Sequence, residues 1–321
     1  MSIHLVRGLA VAALFAVASQ ALAAVPTPTL ISHQDAAVRP AVVPSNYVVT
    51  PNGYFHPSCV HHIAAGETVL ANGNIRAANG SVRRTAACGY PRYTRAGDRI
   101  DPGVSAPVIS GWTAYSDTDP NAASVDADVI QANWVVPSAP RVQAGQVVYF
   151  FPGLEQAPNV VTILQPVLGW NAFNDNKWTL ASWNCCVNGQ TNYSTPVDAN
   201  PGDSVYGVAY VTCSAGSVCD TWQIMSQNQT SGASTILATS AYGQAFNWFF
   251  GGVLEAYGVA ACGQYPANGS VDFTNIEVYD TDFNLLTPTW QTSTTNARPQ
   301  CSYTVNATTS ETSISFDTRG R

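Results

Sequence analysis

Beyond its first two dozen residues this chain never keeps an apolar repeat of helical period for three turns. Short apolar runs follow one another instead, cut by Gly, Pro and Asn. Ile130, Ala132, Trp134 and Val136 alternate on one face before Pro137. Runs at 147–151, 160–168, 178–183, 205–211, 221–225, 248–257 and 271–279 come after it, separated by turn-rich stretches such as Asn200-Pro201-Gly202-Asp203. Composition agrees. Only 10% of the residues are charged, against roughly 25% in an ordinary soluble domain, while 24 Gly and 20 Pro punctuate the chain. At 321 residues, 46% of them hydrophobic, the chain has enough apolar surface for a large core. The pattern predicts an all-β antiparallel sandwich or jelly roll.

The N-terminus predicts export. Arg7, the apolar run 9–17 and the small-x-small site Ala21-Leu22-Ala23 read as a secretory signal over residues 1–23. That run is too short for a membrane span, and no later stretch reaches the length of one. The mature protein is expected to be soluble, monomeric, and extracellular or periplasmic. All eight cysteines follow the signal, an even number that suits an oxidising compartment. Cys213 and Cys219 bracket a short loop and are expected to bridge it, and Cys59 with Cys88 would close the N-terminal region on itself. Adjacent Cys185 and Cys186 are expected to pair outward rather than with each other.

Charge divides the chain. Residues 24–103 carry seven arginines and four acids, a net +3, whereas 104–297 carry two basic residues and fourteen acids, a net −12. This layout reads as a basic pro-segment (24–103) ahead of an acidic enzyme domain (104–321). The alternative is a small N-terminal subdomain that packs on the rest. Opposite charges favour docking at neutral pH, and acidification is expected to loosen it and expose the 96–107 linker to cleavage. The overall charge of −7, with no basic stripe, excludes an ordinary nucleic-acid binder.

None of the five histidines lies after His62, so the long acidic part has no imidazole for a Ser-His-Asp or Cys-His centre, nor for the usual zinc site. His56, His61 and His62 read as surface or pH-sensing groups, and neither metal nor cofactor is expected. Carboxylates and amides remain. Strand alternation puts Gln165 on a face with Val161 and Ile163, and Glu255 on a face with Val253 and Tyr257. A lone carboxylate among apolar neighbours acquires a raised pKa or a partner, which makes it a site candidate. The other reading turns both residues outward to solvent.

The motifs in their order resemble those of the eqolisins, acid-acting glutamic peptidases with a concanavalin-A-like double sheet. Trp134-Val135-Val136-Pro137 is followed by the run 149–155, then Ile163-Leu164-Gln165, Ala181-Ser182-Trp183, Pro201-Gly202-Asp203 and Val253-Leu254-Glu255. The resemblance implies a Gln165/Glu255 catalytic pair on adjacent strands of one sheet, close enough to share a water. Glu155, Trp183 and Tyr257 would line the cleft. It departs at Asn184-Cys185-Cys186, where the family has a second glutamate, and at Gly251, where it has another. The motif 54–59, with Gly66-Glu67-Thr68 and Arg83-Arg84-Thr85, faintly resembles the activation segment of the neprosins, glutamic prolyl endopeptidases.

In the reaction so implied, Glu255 takes a proton from the attacking water and Gln165 donates to the oxyanion of a peptide substrate. Three alternatives stand beside it. They are a neprosin-like prolyl endopeptidase, a glycan-binding sandwich whose Trp and Tyr residues stack on sugars, and a glycosidase using Glu155 with Glu255.

Overall fold

The computed structural model describes residues 32, 38–104, 111–121, 125–217, 219–295 and 297–319. The predicted signal sequence and its cleavage site, and part of the 96–107 linker, lie outside them. Eight short strands come first: β1 (Val48–Thr50), β2 (Gly53–Phe55), β3 (Val60–Ile63), β4 (Thr68–Val69), β5 (Ile75–Arg76), β6 (Val82–Arg83), β7 (Arg92–Tyr93) and β8 (Arg99–Ile100). Longer strands follow: β9 (Ala114–Asp117), β10 (Ala127–Val135), β11 (Val147–Glu155), β12 (Ile163–Trp170), β13 (Trp178–Cys185), β14 (Thr191–Ser194), β15 (Val197–Ala199), β16 (Ser204–Val211), β17 (Thr221–Asn228), β18 (Ser234–Ser240), β19 (Trp248–Tyr257) and β20 (Ser270–Asp280). The chain closes with β21 (Gln291–Thr294), β22 (Thr304–Ala307) and β23 (Thr312–Ser315).

These strands form two large sheets laid face to face. One runs β21-β9-β19-β11-β12-β13-β14-β3, with β15 paired to β13, and the other runs β22-β23-β20-β10-β16-β17-β18-β4-β5-β6. The fold is the expected all-β sandwich. Alternation decides which side chains enter it. Ile130, Ala132 and Trp134 of β10 meet Phe150 and Leu154 of β11 and Leu164 and Leu168 of β12 between the sheets, all at most 2% exposed. Glycines admit close approach there. A Cβ on Gly252 would run into the Phe273 ring, so β19 can lie over β20 only without a side chain at that position.

The N-terminal strands do two things. β3 joins β14 and β4 joins β18, both in parallel, so one sheet gains β3 and the other gains β4, β5 and β6 from the first hundred residues. β1, β2, β7 and β8 make a separate four-stranded sheet. Its Val49, Tyr54, Phe55 and Tyr93 belong to one buried cluster with Tyr149, Phe151, Ile163, Val167, Trp183 and Phe250. The outward face of the nine-stranded sheet is therefore covered by the N-terminal region, not open to solvent.

Disulfides join Cys59–Cys88, Cys213–Cys219 and Cys262–Cys301, the first two as expected. The outward pairing expected of Cys185 and Cys186 is corrected: they join each other at the end of β13. The other six cysteines are matched among themselves by the chain's own hairpins and loops, which leaves this pair no outside partner. No helix among the described residues is long and apolar enough to cross a membrane.

Candidate active-site face

All five residues singled out from the sequence, Glu155, Gln165, Trp183, Glu255 and Tyr257, lie on the covered face of the nine-stranded sheet, and none is more than 2% exposed. The outward reading of Gln165 and Glu255 is thus overturned. Strand alternation placed them correctly with Ile163 and Val253; what faces them is the N-terminal region.

Gln165 sits opposite Trp183 in the β12–β13 ladder, and Trp183 in turn sits opposite Tyr193 of β14, with the two rings stacked at 5.0 Å. On its other side the β11–β12 ladder pairs Phe150 with Leu168 and Leu154 with Leu164, a constant register that brings Gly153 level with Gln165. The glycine leaves room: a Cβ built there would stand 3.6 Å from the Gln165 side chain and 3.7 Å from the Phe250 ring. Phe250 is the residue of β19 paired with Gly153, so the group facing Gln165 across the glycine is a phenyl ring. Neither the amide nitrogen nor the amide oxygen of Gln165 has a hydrogen-bond partner among the described residues, although both are buried. A buried amide in that condition calls for a water or a ligand.

Glu155 ends β11 opposite Trp248. The same register makes it the diagonal neighbour of Gln165 on the adjacent strand, ~7–8 Å away between Cα positions. The buried guanidinium of Arg92, from β7, lies within the field of Glu155; burial lowers its pKa to about 10, partly offset by that carboxylate. Beyond Trp248, Asp117 of β9 accepts a hydrogen bond from the indole nitrogen at 3.1 Å, and burial raises its pKa to about 6.

Glu255 is elsewhere. It pairs with Tyr149 of β11, and Tyr149 pairs with Gly169 of β12, four residues from Gln165. At ~3.4 Å per residue along a strand and ~4.8 Å between strands, the two Cα atoms are roughly 17 Å apart. The expectation of adjacent strands sharing one water is not met: β11 intervenes, and the side chains are offset along it. A bulge between Phe151/Val253 and Gly153/Phe250 inserts a residue into β19 and brings the Phe250 ring, in place of Gly251, level with Gly153. Glu255 instead accepts a 2.5 Å hydrogen bond from Tyr257, and its second oxygen has no partner among the described residues. Burial raises its pKa to about 8, against small opposing effects of Tyr257 and Arg95. A carboxyl in that state is protonated under acidic conditions and has no lone charge with which to deprotonate water.

Sequence reading missed Asp117, Arg92, Gly153 and Phe250. Asp117 ends a four-residue strand too short to carry a pattern, and Arg92 belongs to a segment read mainly as charge. Among the described residues no group of three or more His, Cys, Asp and Glu is placed to hold a metal ion.

No family model matches the chain, and no curated protein matches it. Several solved structures do. A scytalidoglutamic peptidase bound to a peptide-based transition-state analogue is 16% identical over 64% of this chain and 98% of its own, with a TM-score of 0.46. SCP-B, a member of the eqolisin family of peptidases in complex with the tripeptide Ala-Ile-His, is 15% identical over the same shares, with a TM-score of 0.45. Aspergilloglutamic peptidase from Aspergillus niger is 14% identical over 53% of this chain and 98% of its own, with a TM-score of 0.38.

Proposed function

We propose that the protein is an exported endopeptidase of the glutamic type, made as a precursor, in which Gln165 works with Glu155 rather than with Glu255. The observation that carries this reading is the Gln165 amide, buried with both polar atoms unpartnered, one strand from a buried glutamate. A water held between the two side chains would give its proton to Glu155 and attack the scissile carbonyl. The Gln165 NH2 would donate to the oxyanion as it forms, and Glu155 would return the proton to the departing nitrogen. Trp183, Tyr193 and Trp248 flank this point and offer apolar walls to a peptide.

In the full chain the face is shut, with Arg92 beside Glu155. The proposal therefore includes a pro-segment over 24–103 that must leave before substrate enters. Four disulfides fit export to an oxidising compartment.

The test is casein hydrolysis at about pH 3 by acid-treated protein, beside an oligosaccharide panel. Glu155→Gln should abolish cleavage, Gln165→Ala should reduce turnover by roughly 10²–10³-fold, and Glu255→Gln should leave it largely intact. Cleavage lost in Glu255→Gln but kept in Glu155→Gln would refute the assignment. Cleavage of an oligosaccharide with casein untouched would refute the peptidase itself.

A further inference from the structure

At the end of β19, beyond Glu255, the N-terminal region and the sandwich border a solvent-open cavity of about 320 Å³. Arg39, Tyr54 and Arg95 reach it from the N-terminal side, and Tyr257, Tyr265 and Arg298 from the sandwich. No aspartate or glutamate lines it. In a chain with thirteen basic residues against twenty acids, three arginines converging on one cavity are an exceptional local balance.

The arginines are not equally committed. Arg39 donates to the carbonyl oxygens of Pro44 and Tyr47 at 3.0 and 2.8 Å and lies over the Tyr54 ring. Arg95 is anchored through Nε, which donates to the Gly111 carbonyl oxygen at 2.6 Å. Among the described residues its terminal nitrogens make no other hydrogen bond, and the exposed Arg298 guanidinium makes none. Two forks of N–H donors therefore line one cavity with no carboxylate hydrogen-bonded to either, buried Glu255 acting on Arg95 only through its field, the arrangement that selects a planar or tetrahedral oxyanion.

We infer that this cavity is a binding site for a small oxyanion, a carboxylate group above all, held by Arg95 and Arg298 and walled by Tyr54, Tyr257 and Tyr265. The site does not rest on the peptidase reading, since it lies at the Glu255 end of the sheet, away from Gln165. It exists only in the full chain, because Arg39, Tyr54 and Arg95 belong to the N-terminal region. A bound anion accordingly ties that region to the sandwich.

Glu255 adds a pH dependence. It is faced by Tyr54 of β2, Tyr149 of β11, Tyr257 of its own strand and Arg95. Burial keeps it neutral until about pH 8. Once ionised it repels an anion in the cavity, so affinity should fall as pH rises through that value.

The experiment is titration calorimetry of the full chain at pH 7 and constant ionic strength. The probes are sodium sulfate, sodium succinate, a blocked tripeptide with a free C-terminal carboxylate, and its C-terminal amide. Saturable one-site binding of sulfate and succinate is expected, weakened about tenfold or more by Arg298→Gln and by Arg95→Gln. Arg298 is exposed, so its variant reports on binding even if Arg95→Gln compromises folding. Preference for the tripeptide acid over succinate identifies a peptide terminus as the ligand, and equal binding of the small anions identifies a free metabolite-sized anion. Heats no larger than those of sodium chloride, or binding unchanged in Arg298→Gln, would overturn the inference.

Discussion

Replacing Glu255 with Gln should stabilise the protein at neutral pH and make no such difference in acid. In the unfolded chain the carboxyl titrates at about 4.5, whereas in the folded protein burial moves it to about 8. Below 4.5 both states carry the proton and the group costs nothing. Between the two values only the unfolded chain is ionised, so it binds fewer protons than the folded one and stability falls as pH rises. Each pH unit in that window costs about 1.4 kcal/mol. At pH 7 the accumulated loss is about 3 kcal/mol, and above pH 8 it levels off near ~5 kcal/mol, a large share of a net stability of ~5–15 kcal/mol. Gln keeps the shape of Glu and the acceptor for the Tyr257 hydroxyl, so the pH-dependent part is what the substitution removes. Its own buried NH2 costs ~1–3 kcal/mol if unpaired, but equally at every pH. Urea unfolding followed by tryptophan fluorescence at pH 4.5, 6, 7 and 9, with disulfides intact, gives the difference curve. It should rise by about 3 kcal/mol in favour of the variant from pH 4.5 to 7. A flat difference would show that Glu255 is ionised in the folded protein and would return it to candidacy as a base.

Two further outcomes follow from the fold. The purified protein should stay uncut around 96–107 near pH 7 and shorten there when shifted to about pH 3, as mass spectrometry before and after the shift would show. His61 contributes to this: burial, with Arg83 nearby, lowers its pKa, so the undocked strand takes up the proton first and docking weakens as pH falls below ~6.5. His61→Gln should move the onset to lower pH, and an intact N-terminal region in a fully active acid-treated enzyme would disprove the pro-segment. Gly252→Ala should lower stability by about 1–3 kcal/mol in a thermal melt, because the new methyl meets the Phe273 ring; an unchanged melting temperature would mean that β19 yields easily at its bulge.

Periodicity located the long strands but not always their ends: β11, buried throughout, runs on to Glu155 although Pro152-Gly153 read as its stop. The run predicted at 248–257 is β19 residue for residue, and 205–211 misses β16 by one. Strands β14 and β18 went unread because Thr191-Asn192-Tyr193-Ser194 and the Ser/Thr-rich 234–240 stretch bury polar side chains, satisfied across the sheets by bonds such as Asn184 to Thr239 at 2.6 Å. Their partners are distant in sequence, so no local pattern announces them. The site failed for a related reason. Counting by twos placed Gln165 and Glu255 on the right face, but their separation depends on the register of two ladders and on the whole strand between them. Neither is encoded in the spacing of the two residues.

The parallel pairing of β3 with β14 and of β4 with β18 gives any maturation a physical consequence. Cys59–Cys88 lies wholly within the N-terminal region, so after a cut near 96–107 no covalent link among the described residues would hold that region to the sandwich. Its departure would strip β3 from one sheet and β4, β5 and β6 from the other, and leave the N–H and C=O groups of Thr191–Ser194, and those of β18 that pair with Thr68 and Val69, without partners. Open rims of this kind are templates for strand addition from another chain. Release is then also a solubility event: the freed sandwich must accept a new strand along those rims, from a second copy or from an extended polypeptide, or retain the cleaved strands as a nicked complex.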